Sequence, residues 1–240
     1  SFQTVALGRV GRDENGSRLL EMMRRTGIDV SMVVEDREAA TMFSVCFQYP
    51  DSSGGNITTA NSASARVTRL DIRQSIPLFT GKAGRGIALA APETPLSARA
   101  ELLELADHYS FLTVSSFTSA ELLTTECRSL LSLTNILVLN RDEAQSLTGR
   151  DFIAEGRNAF LHLLEESLLP LRPDMRICLT LGNSGSIGFE NGQWEFTPPA
   201  RVSAASTAGA GDATTAGIII ATAAGLPFIA GPVRDRTELT

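Results

Sequence analysis

Lysine is nearly missing from this chain: of 21 basic side chains, only Lys82 is one. A Schiff base or a phosphate-gripping lysine has this single candidate, and Ala83 after it breaks the Walker pattern, which needs serine or threonine there. Histidine is as scarce. His108 and His162 each fall near the end of a predicted helix, which leaves little for a zinc centre or a Ser/His/Asp triad. Cys46, Cys127 and Cys178 lie far apart among apolar neighbours and read as buried thiols of a reducing cytoplasm, not as a disulfide framework. No apolar run approaches the roughly 18 residues of a membrane-spanning helix. No signal peptide is visible either, and because the chain opens on Ser1 its true start is expected upstream. Positive charge is short as well: a net charge of −6 and a pI near 5.1 exclude the basic face that nucleic acid or an anionic membrane requires.

What is present suits a folded α/β protein. Of 240 residues, 43% are hydrophobic and 20% charged, enough for a sizeable core. No repeat, low-complexity tract or linker divides the chain, so one α/β domain over residues 1–240 is expected, with a β insertion around residues 36–66.

Val5 to Gly11 reads as a strand and Asn15 to Thr26 as a helix with Leu19, Leu20 and Met23 on one face, stopped by Gly27. The polar segment Val10 to Gly16 reads as a loop over the sheet edge, and Ile28 to Val34 as the next strand. Thr41 to Tyr49, the turn cluster Asp51 to Gly55 and Ile57 to Thr59 make a hairpin, which between α/β units projects as a lid. Beyond it the alternation is regular. The strands are Gly86 to Ala91, Phe111 to Ser115, Ile136 to Leu139 and Ile177 to Leu181. Between them come a helix capped by Thr94 with Pro95 in its first position, one opened by a Thr118/Glu121 capping box ahead of Leu123, Cys127, Leu130 and Leu131, and one over Phe152 to Leu169. A β-meander through Ile187 to Phe189 and Trp194 to Phe196 ends the series, with Trp194 packing rather than binding a base. Such alternation implies a parallel sheet covered on both faces.

The densest chemistry lies in S-T-A-G-A-G-D-A-T-T-A-G, Ser206 to Gly217, ahead of a helix that reads as buried. Gly209 and Gly211 admit a turn closed to residues with a Cβ and bring the backbone close to a ligand. A helix starting there points unpaired N–H groups and the positive end of its dipole at one spot, which suits an anion. Asp212 is awkward in such a site unless it handles the proton of an attacking hydroxyl; as a residue favoured in a first helical turn it needs no function. At the carboxyl end of another strand stand Asn140 and Glu143, either a capping box or ligand contacts at the edge where α/β sheets bind.

The order of these motifs resembles the ribokinase-like (pfkB-type) carbohydrate kinases: Asn140-x-x-Glu143, then L-T-L-G-x-x-G at Leu179 to Gly185, then A-G-A-G-D at Ala208 to Asp212. The early G-R-V-G-R-D-E-N-G and the hairpin lid are also similar, so the resemblance spans Val5 to Ile220. It implies a three-layer fold with a mostly parallel central sheet and a small β-hairpin lid. It also implies ATP-dependent phosphorylation of a sugar hydroxyl, with Asp212 as the base and the amides around Gly209, Ala210 and Gly211 as the anion hole. By the same resemblance Asn140 and Glu143 organise Mg2+ through water, and Thr180, Gly182, Gly185 and Ala208 line the nucleotide's path. Sugar contacts fall partly on the lid, where Gln48, Asn56, Asn61 and Ser64 are the polar candidates, and an exposed lid hairpin suits homodimerisation.

Ser206 stands where the family usually has an aspartate of a monovalent-cation site, which removes the basis for expecting activation by potassium. The chain also begins after the family's opening strand and Gly-Gly helix and stops before its last helices. A second reading therefore stands beside the kinase, a truncated or degenerate member that binds nucleotide or a partner without catalysis. A nicotinamide dehydrogenase ranks last, because no G-x-G-x-x-G comes after the first strand.

Overall fold

The first strand, β1 (Thr4–Gly11), stops where Asp13 turns the chain into α1 (Glu14–Arg25). Asp13 is the N-cap: its carboxylate accepts the Gly16 amide at 2.8 Å, so the segment that reads as a loop opens a helix instead. The strand β2 (Ile28–Asp36) then returns parallel to β1. Val10, Leu20 and Val30 form a small core with Met23, Ile28 and Val33 packed on it. Leu19, expected on the same helix face, is exposed: it sits at the edge of the stripe, and the small core of this unit covers Leu20 and Met23 but not Leu19.

Residues 3–48, 54–199 and 209–229 are described by this computed structural model, and the chain divides into two units, Ser1–Gly86 with Ala91–Phe111 and Ile87–Ala90 with Leu112–Thr240. The first unit continues with the hairpin of β3 (Ser44–Gln48) and β4 (Gly54–Thr58), paired antiparallel with Val45 opposite Ile57. Cys46, expected to be buried, is exposed on β3. Three helices complete the unit: α2 (Arg69–Arg73), α3 (Ile76–Gly81) and α4 (Leu96–His108). Thr94 does not cap α4. Pro95 keeps an extended ψ of 135°, so the helix begins one residue late and without a side-chain cap. Arg69 and Arg73 of α2 both donate to the buried Glu101 of α4, at 2.6 and 2.7 Å, and hold its carboxyl below the usual range.

The second unit is a sheet in the order β10-β9-β8-β7-β6-β5. Its parallel part comprises β5 (Ile87–Ala90), β6 (Leu112–Ser115), β7 (Ile136–Asn140) and β8 (Arg176–Thr180), and the expected meander comes next as β9 (Ser186–Glu190) and β10 (Gln193–Thr197). The connecting helices are α5 (Ser119–Leu122), α6 (Thr125–Ser132), α7 (Arg141–Thr148), α8 (Phe152–Glu155) and α9 (Arg157–Leu168), with α10 (Ala210–Ala223) after the meander. Two helices expected to be continuous are split. Thr124 caps a second helix behind the Thr118/Glu121 box and leaves Leu123 exposed, and Gly156, at φ 77° and ψ 153°, separates α8 from α9.

Period-two alternation explains the layers. Leu137, Leu139, Ile177, Leu179, Ile187 and Phe189 point to one face and are buried, as are Ala144 of α7 and Phe160, Leu164 and Leu168 of α9. Val114, Ile136, Val138 and Cys178 point to the other, where Ile218 and Ile219 of α10 and Phe228 pack on them. Helices therefore cover both faces, and burial pushes the Cys178 thiol up to about 11. Trp194 packs against Phe189 and donates to Glu165 of α9 at 2.6 Å, as its packing role requires. Among the described residues no helix is long and apolar enough to cross a membrane.

Phe160 has no exposed surface, and its ring meets Phe152 at 5.2 Å. Phe160→Ala is expected to lower unfolding free energy by about 3–5 kcal/mol, measured as a lower denaturant midpoint at unchanged slope.

Candidate active site

The α10 turn carries the candidate base and anion hole. Gly209 is its N-cap at φ 78° and ψ 2°, a left-handed conformation that costs a residue with a Cβ about 1–2 kcal/mol. The first intrahelical bond is Ala213 N–H to the Gly209 carbonyl at 2.9 Å, so the amides of Ala210, Gly211 and Asp212 precede the ladder at the positive end of the dipole. Asp212 is exposed in this first turn. Gly211 departs from expectation: it lies in the helix with no positive φ, and among the described residues a Cβ there would meet nothing within 4 Å. The turn itself therefore needs only Gly209. The helix is also less buried than its sequence reads; Thr215 alone is buried, and Ile220 is exposed, because a single face meets the sheet.

Asn140 and Thr180 end neighbouring parallel strands and face one another in register. Asn140 closes the expected capping box: its side-chain oxygen accepts the Glu143 amide at 2.9 Å, and the Glu143 carboxylate accepts the Asn140 amide at 2.8 Å. Burial raises the Glu143 carboxyl, and the carboxylates of Asp142 and Glu121 raise it further, against the lowering pull of the Asn140 amide. Glu121, read from the sequence only as a helix cap, was not connected with this edge. It closes the Thr118 box on the loop after β6, beside α7, and its signal was the repeat of one capping pattern after two consecutive strands.

Beyond Thr180, Gly182–Ser184 makes one 3-10 turn, closed by Ser184 N–H to the Leu181 carbonyl at 3.1 Å and Gly185 N–H to the Gly182 carbonyl at 3.3 Å, while Leu181 N–H donates to the Gly185 carbonyl at 2.9 Å. Gly185 sits at φ 98°, and a Cβ there would come within 2.3 Å of the Thr197 carbonyl at the end of β10. Its glycine is thus explained by the fold, whereas that of Gly211 is not. Thr180 donates its hydroxyl to the Leu139 carbonyl at 3.3 Å.

The packing of α10 decides which sheet edge it addresses. Phe228, past the helix, lies under the Arg176 guanidinium at 5.5 Å, where β8 starts, and packs together with Ile218 and Ile219 of the helix against Val114, Ile136, Val138 and Cys178. With the residue beyond its end at the start of β8 and its own Ile218 and Ile219 on the sheet, the helix is inferred to run antiparallel to β7 and β8. Its first turn, roughly 10 Å before Ile219 at about 1.5 Å per residue, therefore points toward the carboxyl edge where Asn140 and Thr180 end. Ala208 and Ser206 lie outside the described residues. No group of three or more His, Cys, Asp or Glu side chains that could hold a metal occurs among those described. The oxygen donors of Asn140 and Glu143 still fit Mg2+, which keeps most of its water and takes one or two carboxylates from the protein.

A mostly parallel sheet with helices on both faces, an Asn/Glu cap at one strand end and a glycine-headed helix aimed at the same edge define a ribokinase-like α/β protein. The chain belongs to the pfkB family of carbohydrate kinases, whose family model matches residues 1–230. A putative ribokinase II from E. coli superimposes with a TM-score of 0.77 at 14% identity, over 95% of this chain and 72% of that one. Ribokinase from Arabidopsis thaliana, solved with ribose and ATP, gives 0.72 at 21% identity over 94% and 71%. Aminoimidazole riboside kinase from Salmonella enterica, solved with aminoimidazole riboside and an ATP analog, gives 0.71 at 16% identity over 92% and 71%. At these identities the likeness is one of fold. No curated protein matches the chain.

Two outcomes check these assignments. Gly211→Ala should leave stability unchanged or raise it by up to about 1 kcal/mol, since alanine favours a helix, while crowding an anion at the amides. Gly185→Ala should cost at least about 1–3 kcal/mol; urea unfolding of both variants reads the contrast. Glu143→Gln keeps the acceptor for the Asn140 amide. Because the folded-state pKa of Glu143 is raised, its contribution to stability is full below the unfolded pKa and lost as pH rises through the folded one. The variant should therefore melt at or above wild type at pH 7.5, and the difference should close as pH falls into the acid range, tracked by calorimetry.

Proposed function

We propose that this chain is an ATP-dependent sugar kinase. The observation that carries the reading is the exposed Asp212 in the first turn of α10, beside amides that precede the helical ladder and directed at the edge where Asn140 and Thr180 end. Membership of a carbohydrate kinase family supports it. Asp212 takes the proton of the attacking sugar hydroxyl, and an ordinary carboxylate suffices because phosphoryl transfer passes through a loose transition state that needs little help in removing it. The amides of Gly209, Ala210 and Gly211 hold the charge of the transferring phosphoryl group. Thr180, Gly182, Gly185 and Ala208 line the nucleotide's path. Asn140 and Glu143 would hold Mg2+ through water, which when bound neutralises phosphate charge.

Asp212→Asn keeps size and removes the base. With Mg-ATP and a panel of sugars and nucleosides, kcat for the best acceptor is expected to fall by about 10²–10⁴ while KM for ATP changes little. Turnover within a few fold of wild type assigns the proton elsewhere. If no acceptor is phosphorylated yet ATP raises the melting temperature, the chain binds nucleotide without catalysis.

A further inference from the structure

The hairpin of β3 and β4 presents a physical problem. Its strands pair with each other, yet among the described residues neither packs extensively on another element, and Phe43, Val45, Phe47 and Ile57 are all exposed. An element with so little packing of its own among the described residues has its direction set chiefly by whatever holds its two roots.

Those roots converge on one charged cluster. The chain leaves β2 at Asp36, whose carboxylate accepts the amides of Glu38 and Ala39 at 2.8 and 3.0 Å and bends the chain toward the hairpin. It comes back at Arg66, which donates to Asp36 at 3.1 Å and to Glu38 at 2.8 Å, and at Asp71, which closes the Thr68 capping box of α2. Arg9 on β1 joins the two roots. Its guanidinium grips Asp71 with two bonds of 2.9 Å and reaches Asp36 at 3.2 Å. Asp36 and Asp71 are 5% and 9% exposed at their side chains, so the guanidinium fork is held where water competes little. A second tie lies closer to the strands: Asp13 accepts both the amide and the hydroxyl of Thr41, at 2.8 and 2.7 Å, and Ala63 N–H donates to the Ala40 carbonyl at 2.8 Å.

We propose that Arg9, Asp36, Arg66 and Asp71 form an ionic knot that sets the direction of the β3–β4 hairpin, with Arg9 as the positioning residue of the lid. The knot fastens entry and exit to one point on β1, so the hairpin moves as a rigid ribbon about a fixed base. Lysine cannot replace Arg9, because a single ammonium cannot hold Asp71 with two parallel bonds and reach Asp36 as well. Any consequence for sugar binding rests on the kinase reading; the mechanical claim does not.

Cys46 supplies the probe, since it is an exposed thiol on the hairpin while Cys127 and Cys178 are buried. A nitroxide on Cys46 of the full chain is compared in wild type, Arg9→Lys, Arg66→Ala and the control Arg25→Ala, which removes a surface pair with Glu21. Arg66 is half-exposed, so its removal leaves a folded protein even if Arg9→Lys does not. The spectrum is expected to sharpen toward fast motion in Arg66→Ala, and in Arg9→Lys where it folds, and to stay unchanged in Arg25→Ala. KM for the sugar should rise about fivefold or more, with kcat and KM for ATP within about twofold. An unchanged spectrum in folded Arg66→Ala overturns the knot. If the spectrum sharpens but wild type phosphorylates no sugar, the knot stands and the kinase reading falls.

Discussion

The parallel pairing of β7 with β8 is the constraint on which the second unit depends. It sets Asn140 opposite Thr180 and so brings two strand ends to one line. From that line the chain departs twice, once into α7 through the Asn140/Glu143 box and once into the turn before Gly185. Backbone at a parallel strand's carboxyl end has spent its ladder partners, and the next residues must satisfy their own polar groups locally by caps and turns. These local solutions leave oxygen donors and amides at the surface. The residues that finish the fold at this edge are thus the same ones available to a ligand, and structural and functional explanations of Asn140 do not compete.

The legible parts of the chain were those with local signals. Capping boxes at Thr118/Glu121 and Asn140/Glu143 and the period-two strands of the sheet all depend on residues a few positions apart, and the sheet formed as they indicate. The breaks at Thr124 and Gly156 were missed because an apolar stripe persists through a short interruption. Leu19 and Leu123 belonged to such stripes on paper and are exposed, since burial depends on what arrives from elsewhere in the chain.

Long-range polar pairing was not legible at all. Arg9 and Asp71 are 62 residues apart, and nothing near either names the other. Asp13 looked like one more turn residue, and only the fold brings Thr41 to it. In the candidate site the motif order nominated the residues, but the direction of α10 had to come from where Ile219 and Phe228 pack. Sequence also assigned Gly211 a share in the turn that Gly209 makes, because two glycines two apart look alike whether one of them turns the chain or only leaves room.

The attachment of α10 has a mechanical consequence. The helix is fastened through Ile218 and Ile219, and its first turn reaches forward from that fulcrum with most of its surface exposed. Asp212 stands roughly 10 Å out along this arm, so a tilt of about 5° at the fulcrum carries the carboxylate nearly 1 Å. In the proposed kinase reaction, a displacement of about 1 Å would cost about a hundredfold in rate. Leverage then works in both directions: the methyl groups of two isoleucines on a sheet face govern the aim of a carboxylate two turns away, and a load placed on the first turn is felt in the core around Cys178.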